Sequence, residues 1–357
     1  MKILIDIGHP AHVHYFKNFI SIMQKKGHSF VIVARDKEVT FKLLKSLGIH
    51  YFSRGQGSRN IILKIFGMFK IDMMIYRLAL RHQPDFFLSF SSEYASHVAA
   101  ILGKPNIVFN DTEHVQYMKL LCYPFADAIV TPAFFSDALG EKHISFAGYM
   151  ESCYLQPRYF TPDESVLAKA GLKAGERYVV VRFVSWSANH DVGQRGLSYD
   201  YKLKLIKELT RHTRVIITSE GNLPEELLQY KLDIPPEYLH DLLYFADLYI
   251  GEGSTTASEC SMLGTPNIYI NSLYAGNVAD QEKNYGLSFR FKTQDNVIEK
   301  ALELLSTPDL RRVWQDRRKK MLEQQIDVTA FMVWLVEQFP QSVRILKKNP
   351  DYQYNFR

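Results

Sequence analysis

Cysteine is scarce: Cys122, Cys153 and Cys260 are odd in number, scattered and without metal-ligand spacing. That argues against a disulfide framework or a zinc site and fits reduced structural thiols. No apolar run approaches the length that spans a bilayer, and Met1-Lys2-Ile3-Leu4-Ile5-Asp6 reaches a carboxylate too soon for a signal-peptide core. A soluble, cytoplasmic protein is the expectation. Charge of one sign is missing too, since a net +5 is spread over 357 residues. This suggests no nucleic-acid partner and favours anionic small molecules or lipid headgroups only weakly. There is neither a fixed-period repeat nor a low-complexity segment.

What is present is a large apolar share, 46%, enough for two domains rather than one. The first 150 residues alternate short β-branched runs with helical patterns, the mark of a parallel sheet covered on both faces. Strands are expected at Ile3 to Ile7, Ser29 to Ala34, Ile49 to Phe52, Phe86 to Phe90, Asn106 to Phe109 and Ala128 to Thr131. Between Gly148 and Pro162 the periodicity lapses, which suits a linker, placed at 151–164. A second series over 165–325 puts strands at Tyr178 to Val184, Arg214 to Thr218, Leu248 to Ile250 and Asn267 to Ile270. Residues 326–357 are expected to form a helix and tail that pack back on the N-terminal domain.

Three loops at expected strand ends carry the chemistry. Gly251-Glu252-Gly253-Ser254-Thr255-Thr256-Ala257-Ser258-Glu259 lies where a strand gives way to a helix. Small residues there let a diphosphate approach unpaired N–H groups under a favourable helix dipole. Glu259 falls one turn beyond Thr256, within reach of a ribose diol. A glycine turn with a dipole-complementing acid fits the pattern equally well. Gly8-His9-Pro10-Ala11-His12-Val13-His14 clusters His9, His12 and His14 after the first strand, where ligands of parallel sheets bind, and His12 is the first candidate base. Asn110-Asp111-Thr112-Glu113-His114 opens at the same edge, so Asp111 suits acceptor activation or helix capping, with Glu113 as a further candidate. Arg182 precedes Ser185-Trp186-Ser187-Ala188-Asn189-His190, a loop suited to phosphate, with Ser185 and His190 as candidates. Ile61 to Arg81 mixes an apolar face with Lys64, Lys70, Arg77 and Arg81, a pattern shared by packed helices and by helices lying on anionic membranes. Arg317-Arg318-Lys319-Lys320 reads as a solvated helix face.

Taken in order, these pieces resemble the GT-B glycosyltransferases, especially the lipid-linked N-acetylglucosaminyltransferase of peptidoglycan synthesis, and more distantly the non-hydrolysing UDP-N-acetylglucosamine 2-epimerases. The chain is identified as a member of a bacterial and archaeal domain-of-unknown-function family with that fold. His12-Val13 matches the close of the transferase's first turn, although His9, Pro10 and Ala11 replace its glycines, which speaks against a diphosphate-hugging loop here. Pro84-Asp85, Ser89 to Ser92 and Leu102-Gly103-Lys104-Pro105 resemble its segment leading to a cleft acid at Asp111. Gly253 to Glu259 with Leu263-Gly264 resembles the Gly-x-x-Thr-x-x-Glu nucleotide motif, and Gln281 and Asn284 a Gln-x-x-Asn element that reads donor-sugar hydroxyls. Arg182 resembles the epimerases' phosphate arginine.

The resemblance implies an α/β chain of two Rossmann-like parallel-sheet domains facing across a cleft, with residues 1–150 on the acceptor side and residues 165–325 on the nucleotide sugar. The donor-binding set is Arg182, Ser185, Gly253, Ser254, Thr255, Thr256, Glu259 and Gln281, with His12 and Asp111 catalytic. No Asp-x-Asp pair occurs, which counts against a metal-dependent GT-A enzyme. No cofactor is expected beyond a UDP-linked sugar substrate, and the acceptor is a glycan or lipid-linked molecule, with peripheral contact at the inner membrane face. Two alternatives stay open. One is an NDP-sugar 2-epimerase, although the His-x-Glu-Ala-Gly run is absent, and the other is a non-catalytic nucleotide-sugar binder.

Overall fold

The computed structural model describes every residue except 57–60, 114–116, 174, 185–196 and 220–222, and the side chains of 61–66 also fall outside it. The chain divides into two compact units, Met1–Tyr154 with Gln325–Arg357, and Leu155–Gln324. Each is built on one parallel sheet.

The first unit holds β1 (Lys2–Ile7), β2 (Ser29–Ala34), β3 (Phe52–Ser53), β4 (Phe86–Phe90), β5 (Asn106–Phe109), β6 (Ala128–Pro132) and β7 (His143–Phe146), in the order β3-β2-β1-β4-β5-β6-β7. Strands β4, β5 and β6 are buried along their whole length, as a sheet covered on both faces requires. The helix Pro10–Lys25 starts on a proline that has no N–H to lose, with His9 Nδ1 accepting from the Ala11 N–H, and it carries Lys25 in its last turn. The helix Glu93–Leu102 is capped by Ser92 and stopped by Gly103 in the left-handed region, φ 60°. Two strand expectations change here. The strand expected over 49–52 is only Phe52–Ser53, because Gly48 (φ 66°) and Ile49 are spent closing the preceding helix, and β7 is an additional edge strand.

The second unit holds β8 (Tyr178–Phe183), β9 (Arg214–Ser219), β10 (Leu248–Gly251), β11 (Asn267–Ile270) and β12 (Phe289–Phe291), in the order β12-β11-β10-β8-β9. Here too a short edge strand, β12, adds to the sequence reading. Arg317 and Arg318 do not form the expected solvated face. Arg318 Nε donates to the Met262 carbonyl at 2.6 Å and Arg317 Nη1 to the Gly286 carbonyl at 2.6 Å, so both serve carbonyls that a helix end and a turn leave open.

The expected linker is not loose at its start, since residues 151–156 are buried and Ser152–Leu155 is helical. The irregular tail is ordered as the helix Gln341–Lys348 and a 3-10 turn over Pro350–Phe356. It is fixed to the first unit by the Ile326 N–H on the Ala147 carbonyl, by Gln353 Oε1 accepting from the Ala147 N–H at 2.7 Å, and by Lys26 and His28 on Glu337. Tyr352 and Phe356 of the turn pack their rings against Phe331 and Trp334.

Candidate functional site

Both sheets reverse strand order once, between β1 and β4 and between β8 and β10. The carboxyl ends of strands at such a reversal leave a crevice that neighbouring crossovers do not cover. The named residues gather at these two places.

In the second unit, Gly251 ends β10 directly opposite Arg182 of β8. Gly253 then caps the helix Ser254–Leu263 and brings no side chain to its first N–H groups. Gly253, Ser254 and Thr255 are half-buried. Arg182 is half-buried on the neighbouring strand, its Nη1 donating to Thr218 Oγ1 at 3.4 Å. An uncapped helix start and a guanidinium, carried at neighbouring strand ends, are the two kinds of group that hold phosphate oxygens. Gly251 has a local reason to be glycine, because a Cβ there would run into the buried Tyr249 side chain.

Glu252 was not among the expected site residues, yet it organises this edge. It is 1% exposed, and its carboxylate accepts from the Val184 N–H at 3.1 Å and the Leu197 N–H at 2.7 Å, the two residues that flank 185–196. Asn271 Nδ2 donates to its carbonyl. A charged residue between two glycines was the available signal.

Several sequence expectations change. Thr256 is packed inward, 7% exposed, rather than lining the helix start with its neighbours. Glu259 is 5% exposed and one of its oxygens is engaged by His240 Nε2 at 2.9 Å, so the carboxylate is held by a buried imidazole and not presented openly to a ribose. Gln281 is fully buried, its Nε2 donating to Ser258 Oγ at 2.8 Å, and is not offered to a sugar. Asn284 is exposed and bonded to Asp280. Ser185 and His190 lie outside the described residues, as does His114.

In the first unit, His12, Tyr15, Phe90 and Asp111 form one cluster. The rings of His12 and Phe90 are 4.7 Å apart, those of Tyr15 and Phe90 5.1 Å, and the Tyr15 hydroxyl donates to Asp111 Oδ2 at 3.3 Å. Ser91, held at φ 50°, turns the chain away at the end of β4. His12 changes role. Its Nδ1 accepts from the Gly8 N–H at 3.3 Å, which assigns the proton to Nε2. Burial, with Lys37 and Arg54 nearby, pushes its pKa down to about 3. It is therefore a neutral N–H donor and not the expected general base. Asp111 is the opposite case: burial outweighs its bonds from Thr112 and Tyr15 and lifts its pKa to about 6, a value suited to a base near neutral pH.

Of the other histidines, His9 caps its helix and His14 is buried against Tyr154, ring centroids 5.0 Å apart. Glu113 accepts from the Ser136 N–H and hydroxyl, a structural engagement. The sequence reading also missed the pair beneath the cluster. Asp6 is 0% exposed, and its carboxylate accepts from Arg54 Nε at 2.9 Å and from the Ser92 hydroxyl. The signal was an acid inside an otherwise apolar strand. Arg54 lies over the Tyr94 ring, and burial raises the neighbouring Glu93 carboxyl.

Among solved structures, the S. aureus MnaA–UDP co-structure is 12% identical to the chain, covers 100% of it and 97% of its own length, and superposes with a TM-score of 0.66. The UDP-GlcNAc 2-epimerase from Neisseria meningitidis bound to UDP-GlcNAc is 13% identical, covering 91% of this chain and 99% of its own, at a TM-score of 0.62. The glycosyltransferase of kitacinnamycin is 13% identical over 94% of this chain and 98% of its own, at 0.63. These likenesses establish the GT-B fold. In sequence, an uncharacterized protein of Methanocaldococcus jannaschii is 25% identical over 283 residues, 75% of this chain and 81% of that protein. The family described as Protein of unknown function (DUF354) matches residues 1–339, and the chain belongs to it.

Proposed function

We propose that the chain is a metal-independent glycosyltransferase that moves a sugar from a UDP-linked donor to a hydroxyl of a glycan or lipid-linked acceptor. One observation carries the reading: at the β8/β10 reversal an uncapped helix start, Gly253 to Thr255, follows β10, whose last residue Gly251 lies in register with Arg182 of β8. Departure of a nucleoside diphosphate builds negative charge, and fixed N–H dipoles with a guanidinium stabilise that charge without reorganising. Two solved proteins of this fold carry UDP or UDP-GlcNAc, which supports a uridine donor. In the first unit Asp111, with its raised pKa, serves as the base that takes the acceptor proton, while the Nε2–H of His12 orients the acceptor oxygen.

Incubation with UDP-GlcNAc and a panel of glycan and lipid-linked acceptors in D₂O tests this. Acceptor-dependent release of UDP, with no deuterium at C2 of the sugar, is the expected result. Deuterium at C2 without an acceptor would establish a 2-epimerase instead. Binding with neither outcome, across UDP-, GDP-, CMP- and dTDP-sugars, would identify a sensor or partner subunit.

A further inference from the structure

The helix Ile61–His82 has an outer face that the function above leaves unused. Its inner face supplies Ile75 and Ala79 to the core of the first unit. On the opposite side Phe69, Met73, Arg77 and Leu80 recur at helical spacing, with Lys70 and Arg81 beside them. Phe69 is 66% exposed, Met73 49% and Leu80 50%, and the three cations are exposed as well. None of the three cations forms an ion pair among the described residues. Asp72 is the only acid in the helix, and its carboxylate is taken by His97 Nδ1 at 3.0 Å. The same imidazole bonds the Leu121 carbonyl through Nε2 at 2.8 Å, which ties the short helix Met118–Leu121 alongside and brings in Leu120, 77% exposed.

Large apolar side chains left in water cost free energy, and cations with no acid among them repel one another. An anionic lipid surface answers both at once: the rings and thioether enter the headgroup boundary while Lys and Arg reach the phosphates. We infer that the outer face of the helix Ile61–His82 docks the first unit on the surface of an anionic bilayer, through Phe69 and Met73 with Lys70, Arg77 and Arg81. The helix lies on the membrane and does not cross it; no helix among the described residues is long and apolar enough to span one. The inference does not depend on glycosyl transfer, because the contact is read without any substrate.

The test is co-sedimentation of the full chain with vesicles of phosphatidylcholine alone and with vesicles that also carry phosphatidylglycerol. Binding is expected on the anionic vesicles only, and it should weaken as salt rises. Lys70→Glu with Arg77→Glu and Arg81→Glu should reduce the bound fraction at least about tenfold, as should Phe69→Glu with Met73→Glu. Both sets change exposed positions and should leave the unfolding transition in place. Equal binding to neutral vesicles, binding unaffected by either set, or no binding at all would overturn the inference. So would a dimer that Phe69→Glu with Met73→Glu converts to a monomer, since a second copy would then be what covers this face.

Discussion

Replacing Asp111 by Asn is expected to slow sugar transfer by about 10²- to 10⁴-fold while making the protein more stable at neutral pH. The two effects share a cause. Burial raises the folded-state pKa of Asp111 from 3.8 to about 6. A carboxyl raised in the folded state contributes stability that is fully present below its unfolded value and is lost as pH climbs through the folded one. The window thus runs from about pH 4 to about pH 6, and above it the ionised group weighs against folding by about 3 kcal/mol. Asn removes that penalty and the base together. Melting temperatures of wild type and Asp111→Asn should coincide below about pH 4 and diverge above about pH 6 in favour of the variant. The wild-type rate should fall on the acid side of about pH 6, a limb His12 cannot supply because its pKa lies near 3. A variant that keeps the wild-type rate, or a rate with no acid limb there, would remove Asp111 from the chemistry.

The largest loss of stability is expected at Arg54. Asp6 is fully buried and Arg54 is 7% exposed, so Arg54→Ala leaves a carboxylate in the sheet with only the Ser92 hydroxyl to answer it. Breaking a buried pair from one side costs roughly 3–5 kcal/mol, because the remaining charge keeps its desolvation penalty and loses its partner. Asp6→Asn combined with Arg54→Met removes both charges and should recover most of the loss. Thermal or urea unfolding of the three proteins decides it. An Arg54→Ala variant as stable as the wild type would show that Asp6 does not depend on the guanidinium.

The fold was legible where burial on both sheet faces forces near-continuous apolar runs, as in Ile3 to Ile7, Phe86 to Phe90 and Val179 to Val181. Two edge strands escaped because they carry no such run: β7 and β12 are short, and β12 has no buried residue. The site was legible as loops at strand ends, which follows from the rule for parallel sheets and brought His12 and Asp111 to one cluster. It was not legible where the partner is distant in sequence. Asp6 meets Arg54 across 48 positions and Glu259 meets His240 across 19, and neither spacing repeats a helix or strand period. Side-chain direction was likewise hidden. Thr256 and Gln281 match a nucleotide-sugar pattern by position, yet both are packed inward.

Titration of UDP onto the wild type and onto Ser254→Asp is the most direct measurement of donor binding at the second unit. Ser254 opens its helix, so an aspartate there complements the dipole and should leave melting unchanged, while its charge repels a diphosphate at the same N–H groups. Wild-type binding with at least about a tenfold loss in the variant, the order of one charge-assisted contact, is expected. Equal affinity in both proteins, or none in the wild type, would contradict nucleotide recognition by this helix start.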